Sequence, residues 1–166
     1  MILVCNTGPL IALAKINRLS LLQHLGLERI VIPPMVQKEL WGTIGPESSA
    51  IESALNSFIQ VAKLQEIDQR LGYATVDLDQ GEKEAVLLAA SLQEAVVLLI
   101  DDQAGRKVAR ELGLQVLGTA GVLLLAKRRG VVESVIPLID EIRRQGYWLS
   151  DALVAQVRRL AGEQGA

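Results

Sequence analysis

Val96-Val97-Leu98-Leu99-Ile100-Asp101-Asp102 is the stretch on which the fold turns. Five consecutive apolar residues without alternation, β-branched at Val96, Val97 and Ile100, read as a short strand covered on both faces. Helix-period segments flank it, Asp79 to Leu92 before it and Gln103 to Leu112 after it, with Gly113 as the stop of the second. A helix, a doubly buried strand and a second helix, in that order, predict crossover connections and a mostly parallel sheet.

The same alternation extends in both directions. Ile2-Leu3-Val4-Cys5 has strand length and ends in the turn Asn6-Thr7-Gly8-Pro9, followed by a helical stretch to Lys15. A helical pattern at about 18–25 precedes the strand Ile30-Val31-Ile32, which Pro33-Pro34 stops, and Pro34 suits the first turn of a helix to about Trp41. Residues 46–57 read as helix and 58–62 as a short strand leading into a polar connection. Gln115-Val116-Leu117 is a further short strand, and helices follow at about 119–129, 133–145 and 150–162. The expected architecture is a three-layer α/β/α sandwich with a mostly parallel central sheet. It forms a single domain over 1–166, with about 131–166 as a helical C-terminal extension. The apolar runs Val131 to Ile142 and Tyr147 to Val157 exceed what a small monomer need expose, so a homodimer or a bound partner is expected there.

Composition narrows the function. Half of the 166 residues are hydrophobic, enough for one core without metal or disulfide staples. Aromatics are few, two Trp, two Tyr and one Phe, which disfavours a base-stacking platform. The single cysteine, Cys5, lies in an apolar run and reads as a buried hydrophobe, so a cytoplasmic location is expected. Residues 1–14 and 112–126 are uncharged, but turn residues and glycines interrupt them, and neither reads as a signal peptide or a membrane span. The net charge of −2 hides a tilt: 10 of the 17 Lys and Arg fall in residues 101–166, on solvated helix faces or on a phosphate-facing surface. One histidine, His24, lies away from any strand end, which argues against a nucleophile triad or a histidine metal site. Neither a dinucleotide fingerprint nor a Gly-Lys-Ser/Thr phosphate loop occurs.

In open parallel sheets the functional crevice lies beyond the carboxyl ends of the strands. The first strand delivers Asn6 there, and Val96–Ile100 delivers Asp101 and Asp102, the latter also a candidate helix N-cap. Glu39 shares the apolar side of its helix with Met35, Val36 and Leu40, so it needs a cation or a Lys/Arg partner. Asp79 to Glu82 has capping-box spacing, which gives Glu82 a structural role and leaves Glu84 the freer candidate, although both flank the apolar stripe at similar angles. Asn6, Glu39, Glu84, Asp101 and Asp102 are oxygen donors without His or Cys companions. Such sets favour Mg²⁺ or Mn²⁺, ions that act on phosphate esters by activating water and neutralising charge.

With these residues the sequence resembles the PIN-domain family, and more closely its small prokaryotic toxin-type branch, whose first strand runs into an Asp-Thr-Ser-Pro-Leu-Ile-type motif. Here that motif reads Asn6-Thr7-Gly8-Pro9-Leu10-Ile11. The likeness continues through Ile32-Pro33-Pro34 to Glu39-Leu40, through Leu78-Asp79-Gln80-Gly81-Glu82-Lys83-Glu84-Ala85, and through Leu99-Ile100-Asp101-Asp102-Gln103-Ala104. The resemblance implies a metal-dependent ribonuclease, the toxin-like component of a toxin–antitoxin pair, with RNA and a small antitoxin protein as partners. It implies Glu39, Glu84, Asp101 and Asp102 as catalytic residues, and Asn6, Glu39, Glu84 and Asp102 as ligands of Mg²⁺ or Mn²⁺. Glu82 and Thr7 are secondary candidates, and Arg106, Lys107 and Arg110 would hold RNA. The carboxyls of Glu39, Glu84 and Asp102 should converge within metal-bridging distance. The chain departs from the family pattern where an aspartate becomes Asn6 and a serine becomes Gly8. The alternative is a catalytically weak PIN-fold binding module acting through protein or RNA partners.

Overall fold

The computed structural model of the chain describes residues 1–165. Strands β1 (Ile2–Cys5), β2 (Arg29–Ile32), β3 (Ile59–Val61), β4 (Val96–Leu99) and β5 (Gln115–Leu117) form one sheet in the order β3-β2-β1-β4-β5, and every neighbouring pair is parallel. The connections carry α1 (Thr7–Lys15), α2 (Pro34–Trp41), α3 (Ser48–Leu55), α4 (Gln69–Ala74), α5 (Gln80–Ser91), α6 (Gln103–Glu111) and α7 (Thr119–Arg128), and α8 (Ile136–Arg144) and α9 (Asp151–Ala161) follow. The expected helix at 18–25 forms as a 3₁₀ helix, Leu19–His24. A helix not foreseen, α4, occupies part of the polar connection after β3; it buries no residue, so it has no apolar periodicity to read.

Strand alternation sorts the core into two layers around the sheet. Ile2, Val4, Val31, Leu98 and Ile100 pack with Ala85, Val86, Leu88 and Ala89 of α5 and Ala109 of α6. Leu3, Cys5, Ile30, Ile32 and Leu99 face the opposite way and pack with residues of α1, α2, α3 and α7. Burying aliphatic side chains on both faces is what makes the central strands nearly uniform in hydrophobicity.

The C-terminal helices belong to the second of these layers. Ile136, Ile139, Ile142, Leu149, Val154 and Val157 are buried and join the same cluster as α1 and α7. The apolar runs at 131–142 and 147–157 thus place much of their aliphatic surface in the core, which corrects the expectation that they stay exposed as a whole, while Val131 and Trp148 remain at the surface. Among the described residues no helix is long and apolar enough to cross a membrane.

One carboxylate fastens this region. Val135, the N-cap of α8, provides no side-chain cap. Glu163 caps the helix from beyond α9: its Oε1 accepts from Val135 N at 2.7 Å and from Lys127 Nζ at 2.6 Å, and its Oε2 accepts from Ile136 N at 2.8 Å. Burial pushes the Glu163 carboxyl up, and the bonds from Lys127, Ile136 and Val135 outweigh it, leaving it below the ordinary carboxylate range. A depressed folded value means that the stabilisation is complete above the unfolded carboxyl value and fades as pH falls through the folded one. We expect Glu163→Gln to lower Tm by at least about 3 °C near neutrality, the charge-assisted bonds contributing about 1.5–3 kcal/mol. The difference from wild type should shrink in acid, which thermal melts across a pH series will show.

Candidate active site

β1 and β4 lie side by side at the centre of the sheet, and the helices that follow them, α1 and α6, pack on opposite faces. That divergence opens a crevice beyond the two strand ends, the place where open α/β sheets bind ligands. A cleft of ≈ 460 Å³ occupies it, with Asn6, Thr7, Glu39, Asp79, Glu82, Asp101 and Asp102 among its lining. Asn6 N donates to Leu99 O at 2.9 Å, so the residue after β1 is tied to the last residue of β4. The Asn6 side chain is buried, 6% exposed, and its Oδ1 accepts no hydrogen bond among the described residues. A buried carbonyl oxygen without a donor is costly unless a ligand or water satisfies it.

Glu39 reaches the cleft from the second turn of α2, where the Thr7 hydroxyl donates to its Oε2. No Lys or Arg pairs with it among the described residues, so the salt-bridge reading of this carboxylate does not hold. Its carboxyl group lies directly over Gly81, where a Cβ would stand 2.3 Å from Oε1. Gly81, in the first turn of α5, is thus a site-forming position that spacing alone did not mark. Asp79 takes the N-cap of α5 without a side-chain cap bond, and it lines the cleft with Glu82. The expected capping box is therefore not closed from the Asp79 side.

Glu84 is the principal correction. Its Oε2 accepts from Met35 N at 3.0 Å, and Glu84 is absent from the cleft lining. α2 begins with Pro33 at the N-cap and Pro34 at the first position, so no local side chain satisfies its free N–H groups. Glu84 supplies the acceptor from the neighbouring helix, placing a negative charge at the positive end of α2. Glu82, on the other flank of the stripe, faces the cleft. Burial pushes the Glu82 carboxyl above the ordinary range, and the charges of Asp102, Asp79 and Glu39 push it further the same way.

Asp101 and Asp102 diverge in role. Asp102 caps α6, its Oδ2 accepting from Gly105 N at 2.8 Å, while it also lines the cleft. Asp101 is held by three protein donors. Its Oδ1 accepts from Thr119 N at 2.8 Å, and its Oδ2 accepts from the Thr119 and Tyr147 hydroxyls, each at 2.5 Å. Tyr147 belongs to the connection between α8 and α9, whose Trp148, Leu149 and Ser150 complete one wall of the cleft. A Cβ on Gly8 would stand 3.0 Å from the Tyr147 hydroxyl, so glycine in place of the motif's serine leaves room for this phenol. None of Arg106, Lys107 and Arg110 lines the cleft. Arg106 donates to Ile100 O at 2.8 Å, Lys107 pairs with Glu111 at 4.0 Å, and Arg110 is exposed outside it.

Among the described residues no three His, Cys, Asp or Glu side chains are grouped to hold one ion, so the expected convergence of Glu39, Glu84 and Asp102 is not realised. A family model for PIN domains, DUF3368, matches residues 2–163, nearly the whole chain. The chain belongs to the PIN-domain family. PIN domains are generally nucleases, and such nucleases typically use divalent metals. No curated protein matches the sequence.

The two glutamates of this PIN domain's α5 should respond oppositely to neutralisation. Because the folded Glu82 carboxyl is raised, its ionisation costs stability once pH exceeds the ordinary carboxylate value. Glu82→Gln should therefore raise Tm at about pH 7, with the gain gone by about pH 3, where the carboxyl is protonated in both states. Glu84→Gln should lower Tm, because Met35 N–H loses a charged acceptor. Parallel melts of the two variants check this; a Glu82→Gln protein less stable than wild type at about pH 7 would sink the picture of crowded carboxylates.

Proposed function

We propose that this PIN domain is a metal-dependent endoribonuclease that hydrolyses RNA phosphodiesters with Mg²⁺ or Mn²⁺, acting in the cytoplasm as the toxin-like component of a toxin–antitoxin pair. The observation that carries the nuclease reading is the cleft at the β1–β4 crevice, where the orphaned Asn6 Oδ1 and carboxylates from α2, α5 and the end of β4 face one space. The donors are all hard oxygens. Mg²⁺ is commonly held by one or two carboxylates plus water and substrate phosphate, so a closed three-carboxylate cage is not required. Asn6 with one or two of Glu39, Glu82 and Asp102 would hold the ion. When bound, such a cation neutralises charge developing on the phosphate oxygens and makes water a stronger acid.

The chain's own groups divide the remaining work. Thr7 orients Glu39, and the Gly105 N–H fixes one oxygen of Asp102. Glu82, crowded by Asp102, Asp79 and Glu39, faces the same space, and a bound cation would relieve the repulsion that raises its carboxyl. Asp101 acts by position, holding the far wall in place through Tyr147.

A second reading, a catalytically weak binding module, draws on Asn6 itself, which contributes a neutral oxygen where the family motif has an aspartate. Asn6→Asp separates the two. If the cleft is a weakened nuclease centre, the added charge should tighten Mn²⁺ binding and raise cleavage of a fluorescent RNA at least about tenfold, about 1.4 kcal/mol at the transition state. Mn²⁺ should then raise the Tm of the variant more than that of wild type, and EDTA should abolish cleavage. Destabilisation that Mn²⁺ does not reverse, without cleavage, favours the binding module, since an unpaired charge among carboxylates repels them.

A further inference from the structure

We propose that Trp148 recognises the substrate by stacking on an unpaired nucleobase beside the phosphate held in the cleft, an inference that rests on the ribonuclease reading. The indole is 79% exposed, yet the chain on either side of it is fixed. Tyr147 is bonded to Asp101 at 2.5 Å, Leu149 is 4% exposed, and the Ser150 hydroxyl caps α9 by accepting from Leu153 N at 3.1 Å. A large aromatic ring is thus presented to solvent from a rigid support, at the wall of the acidic cleft.

The charge of the cleft gives this ring a task. No Lys or Arg is among the cleft's lining residues, and Arg106 is committed to the Ile100 carbonyl. A polyanion entering a carboxylate-lined cleft meets repulsion there, so part of its affinity must come from contacts that do not depend on phosphate charge. Base faces supply such contacts, and stacking on an aromatic side chain tolerates any base. Bases within a duplex are already stacked on both sides, so an indole at this position selects single-stranded segments. The scarcity of aromatics argued against a stacking platform; what matters is that two of the five, Tyr147 and Trp148, are adjacent at the cleft.

The test uses the full chain carrying Trp41→Phe, which leaves Trp148 as its one tryptophan, Trp41 being outside the cleft lining. A short non-self-complementary RNA with Mn²⁺ should quench the indole emission saturably, and the same RNA annealed to its complement should not. In the parent chain, Trp148→Ala should weaken single-strand binding by about 5- to 150-fold, with Trp148→Phe recovering most of it. Tm should stay within about 2 °C of wild type because the ring is exposed. Wild-type binding and cleavage in Trp148→Ala, or equal quenching by duplex, overturns the inference while leaving the nuclease reading intact. So does a Trp148→Ala protein that keeps RNA binding but loses self-association in sedimentation, since the ring would then be a protein contact. A correctly folded wild type that neither binds nor cleaves single-stranded RNA overturns both.

Discussion

The register of β1 on β4 is the constraint from which the site follows. Cys5 pairs with Leu99, and Asn6 N continues the ladder to Leu99 O, so the residues just past the two strands emerge side by side. Strand side chains alternate between faces, and a slip of one residue would turn Leu3 and Cys5 into the layer that Ile2 and Val4 fill. The two apolar layers hold that register because each is already packed with aliphatic side chains of its own helices. The polar ends of β1 and β4 meet as a by-product of hydrophobic order on both sides of the sheet.

Two carboxylates that read as candidates for chemistry carry structural bonds. Glu84 completes the first turn of α2, whose tandem prolines leave it without a local cap, and Asp101 gathers donors from α7 and from the α8–α9 connection. Burial pushes the Tyr147 hydroxyl pKa up, and the neighbouring Asp101 charge reinforces the shift, so this phenol remains a donor and the link persists at alkaline pH. What is left facing solvent in the cleft is a smaller acidic set, Glu39, Asp79, Glu82 and Asp102, in which Glu82 feels the charge of the other three. Uncompensated repulsion of this kind destabilises a fold and is tolerated where binding a ligand relieves it.

Strong periodicity made most of the architecture legible. Val96 to Ile100, the Pro33-Pro34 stop and the stripe of Ala85, Leu88 and Ala89 each have one physical interpretation, and the elements lie within a few residues of those positions. α4 was not legible because it buries nothing. The choice between Glu82 and Glu84 was not legible because both stand at similar angles from the stripe. What separates them is the position of the α2 N-terminus, contributed by a segment 49 residues away. Tyr147 carried no signal either, since its partner Asp101 lies 46 residues earlier and an exposed connection has no period to reveal such a bond. Pairings of that range are settled by the packed fold, not by local pattern.

The wall built from the α8–α9 connection gives the cleft a birth order. A chain made from its N-terminus has Asn6, Glu39, Glu82 and Asp102 long before Tyr147 leaves the ribosome, and at about 5–20 residues per second the interval between Asp101 and Tyr147 is roughly 2–9 s. During that time Asp101 lacks the phenol that completes its set of donors, and the cleft is open on one side. The pocket is thus enclosed only after the α8–α9 connection has been made, and a nascent or prematurely terminated polypeptide carries the acidic residues without that wall.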